Sequence, residues 1–256
     1  RRHEVAVCYY HSDNPANTFF DSTLENNNVK VVKFQLHSLV SKFTKIRIWL
    51  KSFSPDIVQA YMLGPSAIAV LSGMGQRKWK VVVSERIIHD YQKKGNLQLK
   101  AITQLFRFAD WITTNSHSNL NALLEYMPSL KRKSSVIWNC VDLEKFNQSA
   151  SKKTTQAFHF SCIATMCERK NVLNLVRALD ILRKKCKKPF EFEWIGSLNE
   201  KSEADKATLR KTRQLVNNFG LHDVFNYSGE SRNVEGDLKR ADAFVLVSQN
   251  EGLPNV

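Results

Sequence analysis

Two hydrophobic patterns alternate along the chain. One is a short run of apolar and β-branched residues, often apolar on both faces, which predicts a strand buried in a parallel sheet between helices. The other is a longer segment in which apolar residues recur at every third or fourth position, which predicts an amphipathic helix. The predicted strands cover residues 3–10, 29–36, 56–61, 80–85, 111–116, 134–138, 158–165, 190–196, 224–229 and 243–248.

Two of the helical segments are well defined. Segment 171–187 has one apolar stripe, and segment 202–219 has another, after which Gly220 is placed to end the helix. The first stripe is formed by Val172, Leu175, Val176, Leu179, Leu182 and Cys186. Strands that alternate with helices in this way predict an α/β fold with open parallel sheets and right-handed crossovers.

The alternation is interrupted once, at residues 147–156, NQSASKKTTQ. This segment is polar and has no hydrophobic period, so it predicts a linker between two doubly wound α/β domains. We therefore expect domains at 1–148 and 156–256. In such sheets ligands bind beyond the carboxyl ends of the strands, so the candidate site residues are those that directly follow a strand.

Two turns in the second half carry charged residues at such positions. Lys170 lies between strand 158–165 and the next helix, where a lysine beside unpaired backbone N–H groups makes an anion site. Glu251 follows the last predicted strand, and its carboxylate is suited to accept hydrogen bonds from sugar hydroxyls. Gly252 and Pro254 shape that turn. A solvated lysine and an exposed turn acid without a function are the alternatives.

Polar residues also follow two strands of the first half. Arg86 and His89 come after strand 80–85, which predicts a cation and an imidazole at its carboxyl end. A lone histidine is more often structural than catalytic, and that interpretation of His89 stays open. Asn139 follows strand 134–138 and is a residue type that tolerates a left-handed backbone.

Composition adds further constraints. The formal net charge of +14 fits phosphate-bearing substrates, an anionic membrane face or nucleic acid, although the basic residues are spread along the chain. The five cysteines show neither a CxxC motif nor a metal-ligand spacing, so we expect reduced thiols in a cytosolic chain and no metal site. No charged-then-apolar leader and no apolar run of spanning length occur in this stretch, so we expect neither a signal peptide nor a membrane-spanning helix within it.

Segment 38–53 mixes apolar residues with lysine and arginine. The pattern fits a helix that covers the sheet before strand 56–61, and it also fits a helix that lies in the surface of an anionic membrane. We favour the first interpretation, and membrane binding remains a hypothesis.

Five segments, in this order, resemble glycosyltransferase family 4, the retaining sugar-nucleotide-dependent enzymes of the GT-B fold. In the first half, RRHEVAVCYY is similar to the family's "GHEV" strand, ADWITTNSHS to the strand and turn before its last helices, and SSVIWNCVDLEKF to its "vIpNGVD…F" segment. In the second half, CIATMCERKNVLNLVRALDIL resembles the "vGRl…eKn" phosphate turn, and GLHDVFNYSGE through RADAFVLVSQNEGLPNV resembles "v.f.G…aDvfvlpS..EGlPnv".

The resemblance implies site residues in both halves. In a Rossmann-like donor domain, 156–256, Glu251 matches the first acid of the family's Glu-x7-Glu motif, which interacts with the donor sugar. The other donor-binding positions implied are Lys170, Thr165, Gly252, Leu253, Pro254 and Asn255. In a Rossmann-like acceptor domain, 1–148, the matching positions are Arg86, His89 and Asn139.

The sequence departs from the family at two of these turns. Thr165 stands where the family has an arginine, which leaves Lys170 as the matching cation and predicts weaker neutralisation of phosphate. Cys140 stands where the family has a glycine, and would be strained if that turn needed a positive φ.

The resemblance also bears on the ends of the sequence. The second acid of the Glu-x7-Glu motif would fall three positions past Val256, and the family's first strand, glycine-rich loop and first helix would precede Arg1. We therefore expect both domains to be incomplete, in a fragment that lacks both ends and is inactive by itself.

The function that the resemblance implies is transfer of a hexose or N-acetylhexosamine, with retention, from a UDP- or GDP-sugar to a glycan or lipid-linked acceptor, without a metal or other cofactor. We expect a cytoplasmic enzyme of polysaccharide biosynthesis, with the anionic membrane face as a further partner and no nucleic acid. The alternatives are a nucleotide-sugar epimerase on the same architecture and a basic nucleic-acid-binding protein. The last rests on charge alone, because the sequence has no helix-turn-helix, zinc spacing or RNP pattern.

Overall fold

The structure is a computed structural model that describes residues 3–10, 20–75, 77–91, 95–146, 157–198 and 202–256. The chain divides into two compact units, Arg1–Trp138 and Asn139–Val256, and each unit has its own hydrophobic core. The linker predicted at 147–156 lies outside the described residues.

The strands of the first unit form two parallel sheets. One sheet has two strands, β1 (Ala6–Tyr10) and β2 (Lys30–Phe34). The other has four strands in chain order, β3 (Ile57–Tyr61), β4 (Lys80–Glu85), β5 (Trp111–Thr114) and β6 (Ser134–Val136). Because all of these pairs are parallel, the carboxyl ends of β3 to β6 share one edge of the sheet.

Helices connect these strands. They are α1 (Asp21–Asn26), α2 (Leu39–Phe53), α3 (Leu63–Gly73), α4 (Leu97–Gln104) and α5 (His117–Tyr126), with 3-10 helices at Leu105–Phe108 and Pro128–Lys133. The fully buried apolar residues of this unit are Val70, Val81, Val83, Phe106, Ile112 and Leu123.

The α2 helix shows how one predicted element forms. The Ser38 hydroxyl accepts a hydrogen bond from the Ser41 N–H at the start, and Ser54 ends the helix with a left-handed backbone. Ile46 and Leu50 are buried in the core, so the helix covers it as the favoured interpretation predicts. No helix of the described residues is long and apolar enough to cross a membrane.

The second unit has one parallel sheet of four strands. They are β7 (Phe158–Ile163), β8 (Phe190–Ile195), β9 (Phe225–Gly229) and β10 (Ala243–Phe244), in the spatial order β10-β7-β8-β9. The helices are α6 (Val172–Lys185), α7 (Glu203–Asn218) and α8 (Val234–Arg240), with a 3-10 helix at Glu168–Lys170.

The core of this unit lies where the pattern predicts. The α6 stripe is buried from Val172 to Leu179, and its last two members, Leu182 and Cys186, are half-buried. Gly220 follows α7 with a φ of 62°, as expected of the glycine that ends a helix. Parallel strands alternate with helices in both units, which confirms the predicted α/β class.

The last strand is shorter than its sequence predicts. The apolar run 243–248 is β-paired only over Ala243–Phe244, where β10 forms an edge of the sheet beside β7. The Val245 N–H donates one more hydrogen bond, to the Ser161 carbonyl, before the chain leaves the sheet. Residues 246–256 then pass beyond the carboxyl end of β7 as irregular backbone.

Candidate functional site

The strand order of the second unit reverses between β7 and β10. From β7 the chain continues through β8 to β9 on one side, whereas β10 pairs with the opposite side of β7. In open parallel sheets a ligand crevice forms at such a switch point, beyond the carboxyl ends of the strands. Two turns meet there. The turn after β7 contains Lys170, and the segment after β10 contains Glu251.

The turn after β7 fixes the position of Lys170. Glu168–Lys170 form one turn of 3-10 helix, and Asn171 then takes a left-handed backbone, with φ 58° and ψ 31°, before α6 begins. Asparagine is one of the few residues that tolerate this conformation. The ammonium of Lys170 donates to Oε1 of Glu251 at 2.5 Å, and the lysine side chain is only 13% exposed.

Glu251 accepts from two cations. Besides Lys170, Nη1 of Arg169 lies 2.9 Å from the same Oε1 atom. The backbone joins the two turns as well, since the Gln249 N–H donates to the Arg169 carbonyl at 3.0 Å. The sequence pattern indicates Lys170 but not Arg169, whose only signal in the sequence is its place next to that lysine.

The two cations set the ionisation of Glu251. Partial burial acts to raise the pKa of this carboxyl, but hydrogen bonds from Lys170 and Ser248 and the charges of Lys170 and Arg169 outweigh burial and lower the pKa below its ordinary value. Glu251 is therefore ionised at neutral pH, and the cluster of one carboxylate and two cations carries a net positive charge.

Gly196 allows the β7 turn to pass close to the end of β8. Its φ is 143°, and a Cβ atom on it would lie 2.3 Å from the Ala164 carbonyl oxygen. Hydrogen bonds tie the same turn to β8, from the Ala164 N–H to Ile195 and from the Met166 N–H to Ser197. A glycine directly after a buried strand is the signal in the sequence that points to such a close approach.

The remaining donor-side predictions lie in the same two turns as Lys170 and Glu251. Thr165 is exposed in the β7 turn, and Gly252 and Pro254 are partly buried in the segment after Glu251. Leu253 is 37% exposed.

Asn139 joins the donor-side segment. Its Nδ2 atom lies 2.8 Å from the Leu253 carbonyl and 2.6 Å from Oδ1 of Asn255. The residue predicted on the acceptor side thus lies in the same unit as Glu251 and holds the segment that follows it. Neither Asn139 nor Cys140 has a positive φ, so replacement of the family's glycine causes no backbone strain at Cys140.

In the first unit, Arg86 and His89 follow β4 and surround Glu85. The Glu85 side chain is completely buried, and its Oε2 atom lies 3.0 Å from Nε2 of His89. The guanidinium of Arg86 lies over the Tyr61 ring at 5.1 Å. Oε1 of Glu85 has no hydrogen-bond partner among the described residues. The structure therefore places both predicted residues at the carboxyl end of β4, beside a buried carboxylate that the sequence pattern does not indicate.

Two asparagines complete this group. Nδ2 of Asn119 donates to the Glu85 carbonyl at 3.1 Å, and Nδ2 of Asn115 donates to the Arg86 carbonyl at 3.2 Å. Both follow β5, so they fix the backbone after β4 through the neighbouring strand. Within the described parts of the chain, no three His, Cys, Asp or Glu side chains are grouped as metal ligands are.

Known proteins resemble this chain in sequence. The family model for Glycosyltransferase Family 4 matches residues 1–145. CapH, a capsular polysaccharide biosynthesis glycosyltransferase of Staphylococcus aureus, is 23% identical over 241 residues, which are 91% of this chain and 64% of CapH. The chain therefore spans less than two thirds of the length of this curated relative.

Solved structures resemble it in fold. The Anabaena protein HepE in complex with UDP superposes with a TM-score of 0.74 at 13% identity, over 96% of this chain and 74% of HepE. HepE in complex with UDP-glucose superposes with a TM-score of 0.72 at 15% identity, over 90% of this chain and 64% of HepE. A glycosyltransferase of Rickettsia africae gives 0.73 at 14% identity, over 96% and 65%. These likenesses confirm the predicted class of Rossmann-like, GT-B-type parallel sheets.

Proposed function

The chain belongs to glycosyltransferase family 4, and from this premise we propose that it transfers a hexose or N-acetylhexosamine from a nucleoside diphosphate sugar to a glycan or lipid-linked acceptor, with retention of the anomeric configuration. The observation that carries the proposal is the meeting of Lys170 and Glu251 at the switch point of the second sheet. A cation and a carboxylate there match the two parts of the donor, its diphosphate and its sugar.

Lys170 would act on the leaving group, the diphosphate of the donor. As the bond between the anomeric carbon and the diphosphate oxygen breaks, negative charge grows on the diphosphate. Lys170 and the unpaired N–H groups at the start of α6 are fixed donors that stabilise this charge more strongly in the transition state than in the bound substrate. This role needs no metal ion, and we propose that transfer continues in the presence of a chelator.

Glu251 would orient the sugar. An ionised carboxylate only accepts hydrogen bonds, and sugar hydroxyls supply the donors. In the structure Lys170 donates to this carboxylate, and we propose that donor binding exchanges that contact, so that Lys170 contacts phosphate and Glu251 contacts sugar hydroxyls. No carboxylate has to act as a covalent nucleophile in this scheme.

The donor base and the acceptor belong to the same proposal. HepE was solved with UDP and with UDP-glucose, which supports a uridine donor over a guanosine one. CapH is a capsular polysaccharide biosynthesis glycosyltransferase, which supports a glycan or lipid-linked acceptor. We propose that Arg86 and His89, held at the end of β4, contact that acceptor on the cytoplasmic side of a membrane.

Binding and transfer by the intact protein test the proposal. We expect Lys170→Ala to weaken UDP binding in calorimetry about 10-fold or more, because a charge-assisted hydrogen bond is lost. Both Lys170→Ala and Glu251→Ala should lower transfer about 100-fold or more. Lys184→Ala is the matched control, since Lys184 pairs with Asp180 on an exposed face of α6.

Three results would contradict parts of the proposal. Near-normal turnover of both site variants would remove the assignment of the site. An anomeric proton coupling in the product that differs from that of the donor would exclude retention. Conversion of the nucleotide sugar to its epimer without release of nucleoside diphosphate would indicate an epimerase.

A further inference from the structure

Arg169 and Lys170 contact one and the same oxygen of Glu251. The distances to Oε1 are 2.9 Å from Nη1 of Arg169 and 2.5 Å from Nζ of Lys170. A simple ion pair would need one cation, and the second leaves the cluster with one positive charge in excess. Two cations that share one carboxylate oxygen at a switch point are suited to an anion of more than one charge.

From this geometry we infer that Arg169 is a second ligand of the donor diphosphate and shares its negative charge with Lys170. The inference rests on the proposed function and adds a residue that no part of it requires. It also accounts for Thr165, because a guanidinium four residues further along the turn supplies the planar donor that the threonine lacks.

The position of Arg169 is set by the fold. Its carbonyl accepts from the Gln249 N–H, so its backbone is tied to the segment that leads into Glu251. Its Nη1 atom also approaches the Asn250 carbonyl at 3.3 Å. The side chain is therefore anchored at two points in the site and does not depend on Glu251 alone.

The guanidinium retains donors for a ligand. Both of its hydrogen bonds to described residues use Nη1, and the side chain is 50% exposed. Nε and Nη2 are thus available to donate in the forked geometry that matches two phosphate oxygens. Lys170 is 13% exposed and contributes a point charge beside it. The two cations are complementary, one exposed and planar, the other enclosed and compact.

The test is UDP affinity of the intact protein by calorimetry, with uridine as a second probe that has no phosphate. We expect Arg169→Ala to weaken UDP binding about 10-fold to 100-fold and to leave uridine binding unchanged. Arg169→Lys should lie between wild type and Arg169→Ala, because charge is kept while the fork is lost. Arg177→Ala is the control, since Arg177 is exposed on α6 and bonds only to Asn174 among described residues.

A second comparison, made in a Glu251→Gln protein, distinguishes phosphate binding by Arg169 from a role limited to holding Glu251. If Arg169 binds phosphate, Arg169→Ala weakens UDP binding in a Glu251→Gln protein as well. If its effect vanishes there, or if wild type and Arg169→Ala bind UDP equally, the inference is wrong while the proposed function stands. If the wild-type protein binds neither UDP nor GDP, both are overturned.

Discussion

Oε1 of Glu251 accepts hydrogen bonds from two cations, Arg169 and Lys170. We expect these two contacts to make the stability of the protein depend on pH. Lys170, Ser248 and Arg169 together keep the pKa of Glu251 below its ordinary value of about 4.5 in spite of partial burial. A carboxyl whose pKa is lowered by folding stabilises the native state above its unfolded pKa, and this stabilisation is lost as the pH falls through the folded value.

We therefore expect Glu251→Gln to lower the free energy of unfolding at pH 6 to 7, and we expect the difference from wild type to shrink below about pH 4.5. Urea unfolding followed by circular dichroism over this pH range measures it. Glu144→Gln removes an exposed carboxylate of the same unit and serves as the comparison. A difference that stays constant or grows in acid would mean that the two cations do not stabilise the ionised form.

At the scale of elements, the turn after β7 depends on Gly196, which directly follows the neighbouring strand β8. A Cβ at position 196 would lie 2.3 Å from the carbonyl oxygen and 2.7 Å from the carbonyl carbon of Ala164. These are backbone atoms and cannot rotate away, and the φ of 143° is itself unfavourable for alanine.

We expect Gly196→Ala to destabilise the protein by about 2–5 kcal/mol, the sum of backbone strain and overpacking. Gly220→Ala is a matched control, because Gly220 also has a positive φ, 62°, but nothing lies within 4 Å of its Cβ position. That variant should cost about 1–2 kcal/mol. Equal shifts of the urea midpoint in the two variants would show that the contact with Ala164 has no cost.

The elements themselves were predictable where the hydrophobic pattern is strong. The α6 stripe and the Gly220 end of α7 follow from spacing alone, because helices at the sheet surface must bury one face. The length of β10 was overestimated, since the apolar run continues to residue 248 although strand pairing ends at Phe244.

The site was predictable in part. Lys170 and Glu251 follow β7 and β10, so the rule about carboxyl ends identifies both. Arg169 was not predictable, because one lysine and one arginine in adjacent positions give no hint that both side chains turn to the same carboxylate. The buried Glu85 was not predictable either, because a glutamate as the last residue of a strand gives no sign in the sequence that its side chain is buried.

At the scale of the whole molecule, the net charge of +14 raises the question of an anionic partner. The candidate donor site contains two of the basic residues, Arg169 and Lys170. On α2 the apolar residues Leu39, Val40 and Ile48 are 76%, 72% and 68% exposed, and Lys45 and Lys51 are exposed beside them. Exposed apolar side chains among lysines are the composition of a surface that binds anionic lipid.

We expect the intact protein to cosediment with vesicles rich in anionic phospholipid at low salt, and to be released at about 1 M salt, where the Debye length falls to about 3 Å. Lys45→Glu with Lys51→Glu should weaken binding at least about 30-fold, because each lysine near the surface contributes about 1 kcal/mol and the two glutamates add repulsion. The control changes net charge equally elsewhere, with Lys187→Glu and Lys188→Glu at two exposed positions after α6. Equal weakening by both pairs would mean that net charge alone causes binding, and sedimentation at background level would exclude a membrane partner for α2.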